Sequence, residues 1–391
     1  MIGFGTYESF EAEGGRYLTC YRPPVPPLPP IDDVWEVLDR ARAVVAEFDR
    51  ALSTFPVPGV VGRLFARLDA VHSSGAEGAT TTFTDLLEFQ TVLRRAKDPH
   101  DAASVSGAAE AFDALHEGMG DPLDAALAIH RRLFERDPDP YWANQAGRWK
   151  TYANATDDPE SATGLFHYTS PASLSGVLEE WRAFTMAEGG PELVRQALSH
   201  WMFEHVHPTA DGNGRVGRLL VPLILRAKGA TANACAFLGE AVHRDKGVYV
   251  SALKRGRQTG DMGAWTRVFL SLTAQTAGLN LDRVARLGAL YDGWRRATKG
   301  VRADSAVHDL VPWIVTRPTF TVRDALAGIG RGTFASVNRA VGQLANAGIV
   351  EPVGAGQRDR LFTASAIVAL FEGPAAQRAP TPEPRSRTPR P

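Results

Sequence analysis

The chain has 391 residues, 44% hydrophobic and 22% charged, which is apolar material for two or three compact units rather than one small core. Lys and Arg total 43 against 44 Asp and Glu, so no field of the whole molecule draws it to nucleic acid or an anionic membrane. Two cysteines, Cys20 and Cys235, exclude a disulfide framework and a cysteine-rich zinc site.

Met1 to Gly15 carries acids and glycines where a secretory signal needs a basic start and an apolar stretch. The most apolar segment, Leu219 to Leu225, is bounded by Arg218 and Arg226 and is far shorter than a membrane span. The expectation is a cytoplasmic protein with no membrane partner. Pro23 to Pro30 predicts an extended strap, after which Asp32 or Asp33 caps a helix through about Leu52. Val60, Leu64, Leu68 and Val71 recur at helical spacing up to Ser73-Ser74-Gly75-Ala76-Glu77-Gly78, and another helix starts near Thr84. Further amphipathic stretches are Ala108 to Met119, Asp121 to Phe134, Ser173 to Ala187, Pro191 to Val206 and Gly214 to Lys228. Gly147 to Ala153, with its alternating bulky residues, predicts a short hairpin.

Beyond residue 300, three helices (Val307 to Val315, Val322 to Ala327, Thr333 to Ala347) precede two strands, Ile349 to Val353 and Arg360 to Thr363, around the Gly354 to Asp359 turn. That order suggests a winged helix. With the third helix in the major groove, Arg331 just ahead of it, Asn338 and Arg339 on it, and Arg358 and Arg360 on the wing are candidate DNA contacts. Asp324, Glu351 and Asp359 dilute the patch, and docking of a protein fits equally well. Pro374 to Pro391, rich in Pro and Arg, reads as a disordered tail.

The segment with most chemistry is His207-Pro208-Thr209-Ala210-Asp211-Gly212-Asn213-Gly214-Arg215-Val216-Gly217-Arg218. Its glycines permit a tight turn whose amides converge on an anion, and the helix starting near Gly214 adds the positive end of its dipole. Arg215 and Arg218, three apart, can lean toward one polyphosphate. Asp211 offers a hard oxygen of the kind Mg²⁺ prefers, and His207 can take a proton near neutral pH.

This segment resembles the signature of the Fic (Fic/Doc) family, His-Pro-Phe-x-Asp-Gly-Asn-Gly-Arg-x-x-Arg, at every position but Thr209. The resemblance implies a protein adenylyltransferase that moves AMP from ATP, with Mg²⁺, to a Tyr, Thr or Ser hydroxyl of a protein target or of itself. It implies that His207 is the general base and Asp211 the Mg²⁺ ligand, and that Gly212, Asn213 and Gly214 line the anion hole. Arg215 would contact the ATP phosphates, and Arg218 would hold the γ-phosphate. A lysine usually stands at Gly214 in the kinase-like Doc branch, which favours nucleotidyl over phosphoryl transfer. The family's Phe anchors the loop in the core, so Thr209 is expected to loosen His207.

Ser73-x-x-x-Glu77-Gly78 resembles the family's inhibitory motif, which implies that Glu77 pairs with Arg218 and occupies the γ-phosphate position. Trp149, Lys150 and Thr151 fall at the family's flap, which pins a target as an added strand; an ordinary hairpin with Trp149 in the core is the other reading. Tyr249 matches an aromatic position that would stack on adenine, against a tyrosine packed between helices. The implied architecture is mainly α. Residues 1–105 form a strap and helices with the inhibitory motif, 106–298 a Fic helical bundle with a short β-hairpin flap, 299–373 a winged helix-turn-helix domain, and 374–391 a tail. Two other functions remain open: a DNA-binding regulator that senses nucleotide, and the reverse reaction, in which water removes AMP. A homodimer is compatible with the sequence.

Overall fold

The computed structural model describes residues 4–57, 61–91, 98–161, 163–354 and 360–373. It opens on a hairpin of β1 (Thr6–Ala12) and β2 (Arg16–Arg22), antiparallel with Tyr7 opposite Tyr21. Gly14 and Gly15, both at positive φ, make the turn that no other residue enters as cheaply. After the proline strap, α1 (Trp35–Thr54) buries Leu38, Ala41, Val45, Phe48 and Leu52, a three-and-four spacing that gives one apolar stripe. Then follow α2 (Val61–Gly75), α3 (Phe83–Thr91), α4 (Pro99–Leu115), α5 (Pro122–Phe134) and α6 (Pro140–Gln145).

A second hairpin, β3 (Ala155–Asp157) and β4 (Leu165–His167), precedes α7 (Pro171–Met186). Asp98, Asp121, Asp139 and Ser170 each precede a proline that opens a helix, and each accepts from first-turn amides. The centre of the bundle is the pair α8 (Glu192–Val206) and α9 (Asn213–Ala227), buried on nearly every face. Around it lie α10 (Gly239–Arg244), α11 (Lys246–Thr259) and the 36-residue α12 (Met262–Ala297), which runs against α1.

The C-terminal unit runs α13 (Val307–Thr316), β5 (Thr319–Thr321), α14 (Val322–Ile329), α15 (Phe334–Asn346), β6 (Glu351–Val353), β7 (Leu361–Thr363) and α16 (Ser365–Glu372). Its sheet has the order β5-β7-β6 and is antiparallel throughout. Thr321 and Thr333 close capping boxes at the starts of α14 and α15. Among the described residues no helix is long and apolar enough to cross a membrane.

The structure corrects several expectations. The hairpin is not at Gly147 to Ala153 but begins at Ala155, because the Lys150 amide bonds the Pro208 carbonyl and not a neighbouring strand. β2 joins it to the N-terminal hairpin by a parallel contact of Cys20 with His167, giving the order β1-β2-β4-β3. The limit expected between residues 105 and 106 falls inside α4, which is continuous from Pro99 to Leu115. Neither β1, β2 nor α12 was expected. The wing residue Arg358, most of its turn and the tail lie outside the described residues.

The last helix packs on the first third of the chain. Phe371 of α16 stacks on Phe83 of α3, with centroids 5.2 Å apart and planes 13° apart, and meets Phe65 of α2 at 5.1 Å. Glu372 accepts the Thr84 amide at 2.9 Å, satisfying an orphan donor at the start of α3. Phe371→Ala is expected to cost about 3–5 kcal/mol, the usual loss for a buried ring, read as a lower denaturation midpoint at unchanged slope.

Candidate active site

The site is the seam between α8 and α9. α8 ends at Val206, and its C-cap, His207, adopts φ 49°, ψ 59°, the one non-glycine positive φ among the described residues. A left-handed residue costs about 1–2 kcal/mol. Gly212 reverses the chain at φ 75°, where a Cβ would lie 2.8 Å from the Phe134 ring, and α9 begins at Asn213. The first-turn amides of a helix have no partner within it, so α9 opens with donors directed at whatever occupies the loop.

The His207 ring stacks on Tyr168 at 4.0 Å and 12°. Its Nδ1 lies 3.2 Å from the Glu204 carbonyl, an acceptor only, so Nδ1 carries the proton and Nε2 keeps its lone pair. Burial, reinforced by the charge of Lys150, lowers the imidazole from its ordinary value to about 4. A neutral imidazole with a fixed tautomer is the form that accepts a proton.

Arg218, 1% exposed, donates from Nε to Ser73 Oγ and from Nη2 to the Ser73 carbonyl, each at 2.9 Å. Nη2 also pairs with Glu77 Oε1 at 2.9 Å. A Cβ on Gly214 would stand 2.4 Å from that carboxylate oxygen and 2.8 Å from Arg218 Nη1, so glycine is what allows the pair to sit against the helix start. Arg215 turns elsewhere. It bonds Ser104 Oγ at 2.8 Å, covers the Phe134 ring at 5.2 Å and stands 3.8 Å from Asp211 Oδ2. The two arginines therefore do not converge on one point, contrary to the expectation from their spacing.

Asp211 Oδ1 accepts the Gly212 amide at 2.6 Å, while its side chain remains 29% exposed. Among the described residues no cluster of three His, Cys, Asp or Glu side chains is gathered as a metal cage. One exposed carboxylate beside an anion cradle fits Mg²⁺ shared with phosphate oxygens and water, the usual way that ion is held.

Two expectations change in this region. Thr209 is tied into the loop: it is fully buried, its amide and hydroxyl both reach Asn213 Oδ1 at 2.8 and 2.7 Å, and Asn213 Nδ2 returns to the Thr209 carbonyl at 2.9 Å. A hydrogen-bonded ring replaces the apolar anchor. Tyr249 is 4% exposed, with its hydroxyl 2.8 Å from His200 Nε2 and its ring edge-on to Trp265, so it packs beneath Arg218 and presents no face to a base. At the expected flap, Thr151 is exposed, Trp149 packs on the core and Lys150 is buried under the loop.

Four residues were not singled out from sequence. Asn154 donates to the His207 and Thr209 carbonyls. His130 accepts the Gly147 amide on Nδ1 at 3.1 Å and lies against Phe134. Tyr168 holds the His207 ring. Glu204, raised to about 7 by burial, lies close enough to feel Arg218 and Glu77. A histidine in the apolar run of α5 was the one visible signal; the others depend on contacts across the fold.

Because the His207 ionisation is displaced downward, the proton that would disable the base is taken up only as pH falls toward 4. His207 should stay neutral from about pH 8 down to about 5.5. An NMR titration of the ring Cε1 resonance checks this; a midpoint near the ordinary value for histidine would contradict it.

A family model described as Fic/DOC family matches residues 121–225, and one described as Fic/DOC family N-terminal matches residues 35–119. The chain is 26% identical over 226 residues to a Culex quinquefasciatus protein named Protein adenylyltransferase Fic, covering 55% of this chain and 42% of that one. A Drosophila melanogaster protein of the same name is 25% identical over 169 residues, 40% and 32% of the two chains. The chain thus spans less than half the length of these relatives. A crystal structure of a Fic family protein from Desulfovibrio desulfuricans aligns over 87% of this chain and 98% of its own, with TM-score 0.55 and 14% identity, a likeness of fold. With its loop, its helix start and its upstream motif arranged as described, the chain belongs to the Fic/DOC family.

Proposed function

We propose that this protein transfers AMP from ATP to a Tyr, Thr or Ser hydroxyl of a protein, and that Glu77 holds the reaction in check. The observation that carries this reading is the Glu77–Arg218 pair beside the start of α9, within the same seam as a neutral His207.

The target oxygen attacks the α-phosphorus, its proton passes to His207 Nε2, and the bond to pyrophosphate breaks. The first-turn amides of α9 stabilise the charge that grows on the phosphoryl oxygens. Asp211 would hold Mg²⁺ against the phosphates, supplying charge neutralisation there. β3, at an open edge of its sheet with Thr156 and Asp157 exposed, offers main-chain groups to a target segment. This edge takes the part expected of Trp149, Lys150 and Thr151.

Glu77 is 30% exposed, whereas Arg218 is buried and held far up by Glu77 despite the cost of burial. A γ-phosphate would compete for the same guanidinium. In the C-terminal unit the order of elements supports a winged helix. Asn338, Arg339 and Arg360 are exposed for docking, whereas Arg331 is engaged by Asp309. DNA and a protein surface are both within its chemistry, and cytoplasmic residence suits such partners.

Glu77→Gly should raise AMP transfer by about 5- to 150-fold, the usual size of a coupling between competing ligands. His207→Ala introduced beside it should abolish that transfer. Mass spectrometry for adenylyl adducts on an extract and on the protein itself decides the matter. No adduct from the folded Glu77→Gly protein, or undiminished adducts from the folded double variant, rejects the reading.

A further inference from the structure

We propose that Lys150 and Asn154 are positioning residues for His207: a buried clamp that turns the loop's carbonyls inward so that the imidazole and the loop's amides face the reacting groups. This rests on the reading of His207 as general base.

Four successive carbonyls are engaged from one side. Lys150 Nζ donates to Val206 at 3.1 Å, Asn154 Nδ2 to His207 at 3.2 Å, the Lys150 amide to Pro208 at 2.9 Å, and Asn154 Nδ2 to Thr209 at 3.0 Å. Lys150 Nζ also donates to Asn154 Oδ1 at 2.7 Å, which fixes the amide so that its NH₂ points at the loop. The clamp is itself buried, with Lys150 3% and Asn154 6% exposed.

A lysine is a costly way to fill an interior. Burial lowers its pKa well below the ordinary value, and the partners of its Nζ are oxygens of carbonyl and amide groups. What it gains is a place at the C-terminus of α8, where helix carbonyls lack amides and the dipole is negative. Helices that end in a left-handed residue usually place glycine there. Here a histidine takes that conformation, and the donors of Lys150 and Asn154 that reach the Val206, His207, Pro208 and Thr209 carbonyls offset its strain. The same contacts compensate for an anchor at Thr209 that is polar and small.

The test uses the full chain carrying Glu77→Gly, with Lys150→Met and Asn154→Leu added separately; both replacements roughly keep the volume and remove the side-chain donors. Hydrogen exchange of residues 204–214 should rise at least about tenfold, while that of α1 and α12 stays at the parent rate. kcat should fall about 10- to 100-fold with KM for ATP within about threefold, since the base is misplaced more than the substrate. The acid limb of the pH profile should move upward in Lys150→Met, where a charge that disfavours imidazolium is gone. Lys150→Arg, which keeps donors, should recover part of kcat.

Unchanged exchange in the loop, or unchanged kcat with a loosened loop, overturns the proposal. Exchange raised across the whole chain with a parallel loss of thermal stability also overturns it, since the role is then structural only. If Lys150→Met does not fold, Asn154→Leu decides alone. If the Glu77→Gly parent itself transfers no AMP, the functional reading fails, and the exchange measurement still decides whether the clamp holds the loop.

Discussion

A guanidinium withdrawn from water must find an acceptor along each edge, and Arg218 finds its acceptors in a segment 145 residues earlier in the chain. Ser73 supplies two of them and Glu77 the third, so the end of α2 and the start of α9 are parts of one charged cluster. Taking one partner from a buried pair costs about 3–5 kcal/mol unless another anion replaces it. Arg218 is therefore held where an anion must stand beside it. Gly214 is the condition for this, because any side chain there would occupy the space of the carboxylate.

The loop between α8 and α9 has two sides with different chemistry. Its inner side is carbonyl, met by donors from residues 150–154 and by the Thr209–Asn213 ring. Its outer side carries the imidazole, the Asp211 carboxylate and the first amides of α9. The separation depends on one strained residue, His207, whose left-handed backbone brings its ring onto Tyr168.

The helical bundle was readable because apolar spacing and caps are local: α5, α7, α8 and α9 appear within a residue or two of the expected limits. α12 was not, because its burial pattern shifts as it passes α1, α8, α11 and the C-terminal unit, so no single stripe persists over its length. The Gly14-Gly15 pair among tyrosines is itself a local sign of the hairpin turn. Within the site, the identities at His207, Asp211 and Arg218 were visible as a spaced motif. The inward face of Tyr249 and the depth of Lys150 are set by Trp265, His200 and Val206, residues that no local spacing connects to them.

Phe371 and Glu372 belong to the last described helix, yet they close the apolar gap between α2 and α3 and cap the latter across 288 residues of chain. During synthesis the loop at His207 and both members of the Glu77–Arg218 pair leave the ribosome well before that aromatic ring does. A nascent chain thus holds the residues of the α8–α9 seam while Phe65 and Phe83 still await their cover, and the packing of α2 against α3 is completed only by a ring that emerges 288 residues after α3 begins.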